Sequence, residues 1–222
     1  MKYYLAIDLG ASSGRHIVGH VENKEIILDE VYRFPTGMSD SNQGLIWETD
    51  RLFNEIKTGI KEALKKYPYI ESLAIDTWGV DYVLLNGDKD IKPHFAYRND
   101  RVNSRVDEVH NIIPFEKLYS ATGIQFASFN TIYQLFDDLK KERLRKATDF
   151  LFLPQYFVYL LTGIKKHEYT EATTSGLINV ETKQYDVNII KNLGLPTNAK
   201  ERFSIQKLDY SKLPQDIRPN EQ

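Results

Sequence analysis

With 222 residues, 41% of them apolar and 12% aromatic, the chain can build a packed core and fits one large domain or two small ones. Its 29 Lys and Arg against 31 Asp and Glu leave a net charge of −2, and no basic block interleaves with aromatics, which argues against a nucleic-acid partner. Cysteine is absent, excluding disulfides and thiolate metal sites; no run is long and apolar enough for a bilayer and no secretory signal is visible, so no membrane partner and a cytoplasmic setting are expected.

Tyr3–Ile7 is short, apolar and aromatic, and predicts a buried strand; His16–Val21 predicts a second. Between them lies Asp8-Leu9-Gly10-Ala11-Ser12-Ser13-Gly14-Arg15. A carboxylate at a strand end followed by a Gly/Ser turn can cradle phosphate. Gly10 and Gly14 would take positive φ and approach an anion, Ser12 and Ser13 offer hydroxyls, and Asp8 could hold a cation. An ordinary glycine hairpin reads equally well from spacing alone. A turn at Glu22–Lys24 leads to Glu25–Phe34, completing an antiparallel meander. Pro35–Gly44 is a polar loop. Asp50 offers an N-cap to a helix that carries Leu52, Phe53, Ile56, Ile60, Ala63 and Leu64 on one face and stops at Tyr67-Pro68.

Ile70–Ile75 predicts a fourth strand, so the meander strand, the helix and this strand form a crossover whose strand ends are the expected place for ligands. Asp76-Thr77-Trp78-Gly79-Val80-Asp81 is therefore a second candidate site. Its two acids would accept bonds from polyol hydroxyls while the indole packs on C–H faces; a β-bend with a core Trp is the competing reading. Asn86-Gly87-Asp88 predicts a hairpin between Tyr82–Leu85 and Lys92–Tyr97. Helices are expected over Arg101–Ile112, Phe115–Tyr119, Thr131–Lys140 and Pro154–Leu161, the last stopped by Gly163, and over Tyr185–Leu193. Glu168–Gly176 reads as a hydroxyl-rich solvated loop, and the tail from Thr197 as polar. His16 and His20 share a strand face but sit too far apart to chelate well. No nucleophile elbow, P-loop or dinucleotide fingerprint is present.

Taken in order, seven segments resemble the N-terminal half of the FGGY carbohydrate kinases. They are Ala6–Arg15, Ile75–Asp81, Ala96-Tyr97-Arg98, Gly123-Ile124-Gln125-Phe126, Phe129–Leu135, Leu153–Phe157 with Leu161-Thr162-Gly163, and Glu168–Thr174. Thr77–Asp81 and Gly123–Phe126 resemble the rhamnulokinase branch in particular. The resemblance implies an α/β, actin-like (ribonuclease H-like) ATPase lobe with a mixed five-stranded sheet and flanking helices. It makes 1–222 a single N-terminal lobe, loosely ordered from about 197. It also implies ATP-dependent phosphorylation of L-rhamnulose at its 1-hydroxyl, as a step of rhamnose catabolism, with Mg²⁺. Ala11, Ser12, Ser13, Gly14 and Arg15 would touch the ATP phosphates, Asp8 would steer the metal, and Gly79 would border the ketose with Trp78 and Asp81 nearby.

Two departures qualify the resemblance. Asn99 stands where many relatives carry Asp after Tyr-Arg. The family's catalytic aspartate, in a His-Asp-Thr segment, has no counterpart here, so the base is expected beyond Gln222 in a C-terminal lobe and the chain alone is expected to be inactive. The resemblance allows a homodimer. A kinase for another ketose or polyol and a non-catalytic single-lobe binding module are the competing functions.

Overall fold

The computed structural model describes residues 1–196; the tail expected from Thr197 lies outside them. The meander forms as expected: β1 (Tyr3–Leu9), β2 (Ser13–Glu22) and β3 (Glu25–Pro35) pair antiparallel, and Asn23 and Lys24, both at positive φ, make the two-residue turn that a right-twisted hairpin prefers. Helix α1 (Thr49–Lys66) then crosses to β4 (Ile70–Thr77), which lies parallel to β1. The result is a mixed sheet in the order β3-β2-β1-β4. Asp50 lies inside the first turn of α1 rather than capping it; Glu48 holds the cap position without a side-chain bond, and Asp50 instead pairs with Lys92.

Four strands, not five, make up this sheet among the described residues. The chain turns away after β4, and β5 (Tyr82–Asn86) pairs instead with β6 (Lys89–Asp90) and β7 (Asp149–Phe152) in a second sheet, order β6-β5-β7. The hairpin at Gly87 is thus real, but its return strand is two residues long, and Lys92–Tyr97 contributes only a bridge from Phe95 to Ile46. Pro93 has no N–H to give a ladder, and the other edge of β5 is already taken by β7. Four consecutive residues of β5 are buried because its two faces serve two cores.

Val83 and Leu85 join the first core, where Leu5, Ile7 and Leu9 of β1 meet Leu52, Ile56 and Ile60 of α1 and Phe157 and Leu161 of α5 (Leu153–Thr162). Tyr82 and Leu84 join the second, built on Ile132, Tyr133, Leu135 and Phe136. Those four come from α4 (Thr131–Lys140), which has the bounds its periodicity predicts. The segment from Asp100 divides into a 3₁₀ turn at Asp100–Val102 and α2 (Arg105–Ile112), followed by α3 (Phe115–Thr122). Glu168–Gly176, expected as a solvated loop, instead contains α6 (Tyr169–Thr173), capped by the Glu168 carboxylate and buried at Glu171, Ala172 and Ser175. The last described helix, α7 (Val187–Asn192), is capped by Asp186.

Among the described residues, the helical packing onto β1 falls on the face of Leu5, Ile7 and Leu9. The other carries exposed Tyr4 and Ala6 of β1 beside exposed Ala74 and Asp76 of β4.

The face packed by α1 contains a close fit between His16 and Gly59. The imidazole is fully buried, its Nε2 lies 3.0 Å from the Ile56 carbonyl, and burial lowers its pKa to about 4, so it is neutral. A Cβ on Gly59 would lie 2.3 Å from that ring. Alanine in a helix interior ordinarily stabilises by about 0.5–1 kcal/mol over glycine. Here the sign reverses: Gly59→Ala is expected to cost about 1–3 kcal/mol through overpacking, as read by urea denaturation. A gain in stability would show that the His16 pocket yields freely.

Candidate active site

The sheet register brings three charged side chains into one row. Asp8 of β1 lies beside Arg15 of β2 and beside Asp76 of β4. Strand neighbours point to the same face, so the row crosses three strands at the ends of β1 and β4. Arg15 Nε sits 3.0 Å from Asp8 Oδ2, without the alignment of a hydrogen bond, and both side chains keep substantial solvent access.

The connection between β1 and β2 follows one residue pair beyond this row. Its Gly10 amide donates to the Ser13 carbonyl at 2.9 Å. The carbonyls of Gly10, Ala11 and Ser12 are all occupied by Thr36 and Gly37: Thr36 Oγ1 donates to the Gly10 oxygen at 2.6 Å, and the Thr36 and Gly37 amides donate to those of Ser12 and Ala11. Arg51 in turn donates to the Pro35 and Thr36 carbonyls. With the carbonyls tied back, the amides of Ala11 and Ser12 donate to no acceptor among the described residues. Donors free and acceptors occupied is the polarity an anion requires.

Neither glycine works as the spacing suggested. Gly10 and Gly14 do not have positive φ. A Cβ on Gly14 would stand 2.4 Å from the Phe34 ring, and one on Gly10 would stand 3.1 Å from the Ser13 carbonyl, so both positions are restricted by close packing.

At the end of β4 the backbone strain sits on Val80, not on a glycine. Its φ is +69°, an outlier for a β-branched residue. Its amide donates to Thr174 Oγ1 at 3.1 Å, and its carbonyl accepts from Thr131 Oγ1 at 2.8 Å and from the Gln134 amide at 3.3 Å. Gly79 packs against the same Thr174, where a Cβ would come within 3.0 Å of Cγ2.

Asp81 departs from the expectation of a carboxylate open to a polyol. It is 1% exposed, and both oxygens are engaged. Oδ2 accepts from Trp47 Nε1 at 2.6 Å, from Trp78 Nε1 at 2.9 Å and from the Tyr97 amide at 3.2 Å, while Oδ1 accepts from Gln134 Nε2 at 3.2 Å. Burial raises its pKa to about 6 against the pull of these donors, so it remains ionised at neutral pH. Its effect is to hold Trp78 flat against Trp47, ring centroids 3.9 Å apart, which presents a half-exposed aromatic wall beside Gly79.

The structure thus brings Asp8, Ala11–Arg15, Trp78 and Gly79 to the ends of β1 and β4, and sets Asp81 behind them. Sequence reasoning named Asp76 as one of two acids for polyol hydroxyls, not as the neighbour of Asp8, and did not single out Trp47, Gln134, Glu171 or Thr174. Asp76 had a signal: Ile75-Asp76-Thr77 repeats the Ile7-Asp8-Leu9 pattern. Gln134 also had one, a polar residue on the buried stripe of α4. Asn99, by contrast, is turned into its own loop, accepting from the Arg101 amide and donating to the Gln43 and Leu45 carbonyls.

Residues 3–211 match the FGGY family of carbohydrate kinases, N-terminal domain. The chain belongs to that family. As an FGGY domain it is 44% identical over 217 residues to a rhamnulokinase of Halalkalibacterium halodurans, covering 96% of this chain and 46% of that protein. It is 44% identical over 197 residues to a rhamnulokinase of Oceanobacillus iheyensis, covering 87% of the chain and 42% of that protein. The chain therefore spans less than half the length of these curated relatives. Among solved structures it is similar to a ligand-bound xylulose kinase of Lactobacillus acidophilus, with TM-score 0.80, 16% identity, and coverage of 92% of this chain and 42% of that one. A gluconate kinase of the same organism gives TM-score 0.81 at 16% identity, covering 91% of this chain and 42% of that chain. The fold is accordingly the actin-like lobe of the FGGY sugar kinases. No helix among the described residues is long and apolar enough to cross a membrane.

Proposed function

We propose that this chain is the sugar- and phosphate-binding lobe of an ATP-dependent L-rhamnulose kinase, forming L-rhamnulose 1-phosphate in the cytoplasm. The observation that carries the proposal is the Arg15–Asp8–Asp76 row under a turn with free amides, set beside the Trp78–Gly79 wall, in a chain 44% identical to rhamnulokinases.

In this reading the amides of Ala11 and Ser12, with the hydroxyls of Ser12 and Ser13, bind terminal phosphate oxygens of ATP, and Arg15 neutralises charge there. Close packing at Gly14 fixes the start of β2, so the donors stand preset. Mg²⁺ fits this donor set. A hard cation of that size keeps several waters and takes one or two carboxylates plus phosphate oxygens, and Asp8 with Asp76 provides such a pair. When bound, it supplies charge neutralisation at the transferred phosphoryl group. The ketose lies along Trp78 with its backbone side against Gly79.

The base that accepts the 1-hydroxyl proton comes, in this proposal, from the C-terminal half that the relatives possess and this chain does not cover. Near the site Asp8 pairs with Arg15, and Asp81 is buried with four donors. ADP release by the protein carrying its C-terminal lobe, measured over a panel of L-rhamnulose, L-fuculose and D-xylulose, tests the assignment. L-rhamnulose should give a kcat/KM about tenfold or more above the others. Preference for another ketose would overturn the substrate, and turnover of none would overturn the kinase reading in favour of a binding module.

A further inference from the structure

Helix α6 brings one carboxyl to the end of β4 with one of its oxygens unpartnered. Glu171 is 8% exposed, and its buried Oε1 has no hydrogen-bond partner. The side chain belongs to the β4 end, not to the α6 surface. The Val80 amide faces the carboxyl, and Thr174, whose Oγ1 donates to the Glu171 carbonyl at 2.8 Å, is the residue packed on Gly79 and bonded to Val80. A strained Val80, a glycine in close contact and a buried carboxyl oxygen without a partner thus coincide at the end of β4. Strained backbone and unsatisfied buried polar atoms persist in folded proteins chiefly where a ligand completes them.

The charges that act on Glu171 most strongly are all negative and come from three directions: Asp76 on β4, Glu168 at the start of α6, and Asp81 after β4. Burial first, and these acids second, raise its pKa to about 8. At neutral pH the side chain is therefore a carboxylic acid, with one O–H to donate and one oxygen to accept.

We propose that Glu171 is a specificity-determining residue of the sugar site, its carboxyl meeting a hydroxyl of a neutral ketose held beside Gly79 and Trp78. The acids around it select against a sugar that carries its own carboxylate. This rests on the kinase reading above and adds to it a residue and a substrate class.

The test uses the protein with its C-terminal lobe, measuring KM and kcat for the ketose it turns over best. Glu171→Gln keeps a neutral, isosteric hydrogen-bonding group, and its KM at pH 7 should stay within about threefold of the parent. Glu171→Leu should raise KM about tenfold or more with kcat little changed. Glu171→Ala, a smaller truncation, should raise KM likewise, with kcat little changed. An unchanged KM in Glu171→Leu or Glu171→Ala would overturn the assignment. The alanine variant decides the matter even if the leucine variant does not fold. Lack of turnover with every ketose would refute the kinase reading itself, whereas turnover with those unchanged values refutes only the role of Glu171.

Discussion

Asp8→Asn, made in the protein that carries its C-terminal lobe, is expected to lower kcat by about 10²–10³-fold while leaving ketose affinity near its original value. The substitution conserves size and removes one charge from a row of three. Arg15 then loses its partner on the neighbouring strand, and the proposed metal site loses one of the two carboxylates the row offers. In the proposed site the ketose meets Trp78 and Gly79 rather than Asp8, so the loss should appear in kcat and in the metal concentration needed for half-maximal rate. Steady-state kinetics over a Mg²⁺ titration measure both. A kcat within threefold of the parent, at the same metal requirement, would remove Asp8 from the metal and phosphate site.

The second large effect concerns stability. Asp81→Ala removes the common acceptor of Trp47, Trp78, Gln134 and the Tyr97 amide. Trp47 and Gln134 are each 2% exposed, so their donors cannot turn to water. Unsatisfied buried donors together with the cavity predict a loss of about 3–5 kcal/mol in urea denaturation.

Asp81→Asn, which keeps the shape and some of the bonds, should cost less and change the pH dependence. In the folded chain the Asp81 pKa stands near 6, above its ordinary 3.8. The folded state therefore holds this proton more tightly than the unfolded one. The contribution is fully present below the ordinary value and is lost as pH rises through about 6. In Asp81→Asn the part of the stability slope arising from that window should be absent. An alanine variant as stable as the parent would mean that the two tryptophans hold their stack without the carboxylate.

How far the sequence could be read follows from the range over which each feature is determined. The meander, α1 and α4 were legible because local periodicity and turn residues specify them. The turn between β1 and β2 was legible from Asp8 followed by Gly and Ser, although the reason for its glycines was not. Their restriction comes from Phe34 across the hairpin and from the Ser13 carbonyl, not from φ. β7 was invisible because its four residues run directly into the apolar start of α5.

The wall of the proposed sugar site was the least legible part. Glu168–Gly176 is polar enough for a solvated loop, yet Thr174 bonds to Val80, 94 residues earlier, and Glu171 is buried beside it. Asp81 follows β4 as its position suggests, but it is buried with both oxygens engaged. A carboxylate between a Trp and a strand suggests hydroxyl recognition, whereas Trp47 and Gln134, far away in the chain, claim its lone pairs.

ADP release with ATP and L-rhamnulose, measured for residues 1–222 alone and for the protein that continues into a C-terminal lobe, tests most directly the claim that this lobe is half of a kinase site. No turnover by residues 1–222 and sustained turnover by the longer protein, with L-rhamnulose 1-phosphate as product, is the predicted result. Comparable turnover by residues 1–222 alone, or none by the longer protein, would contradict it.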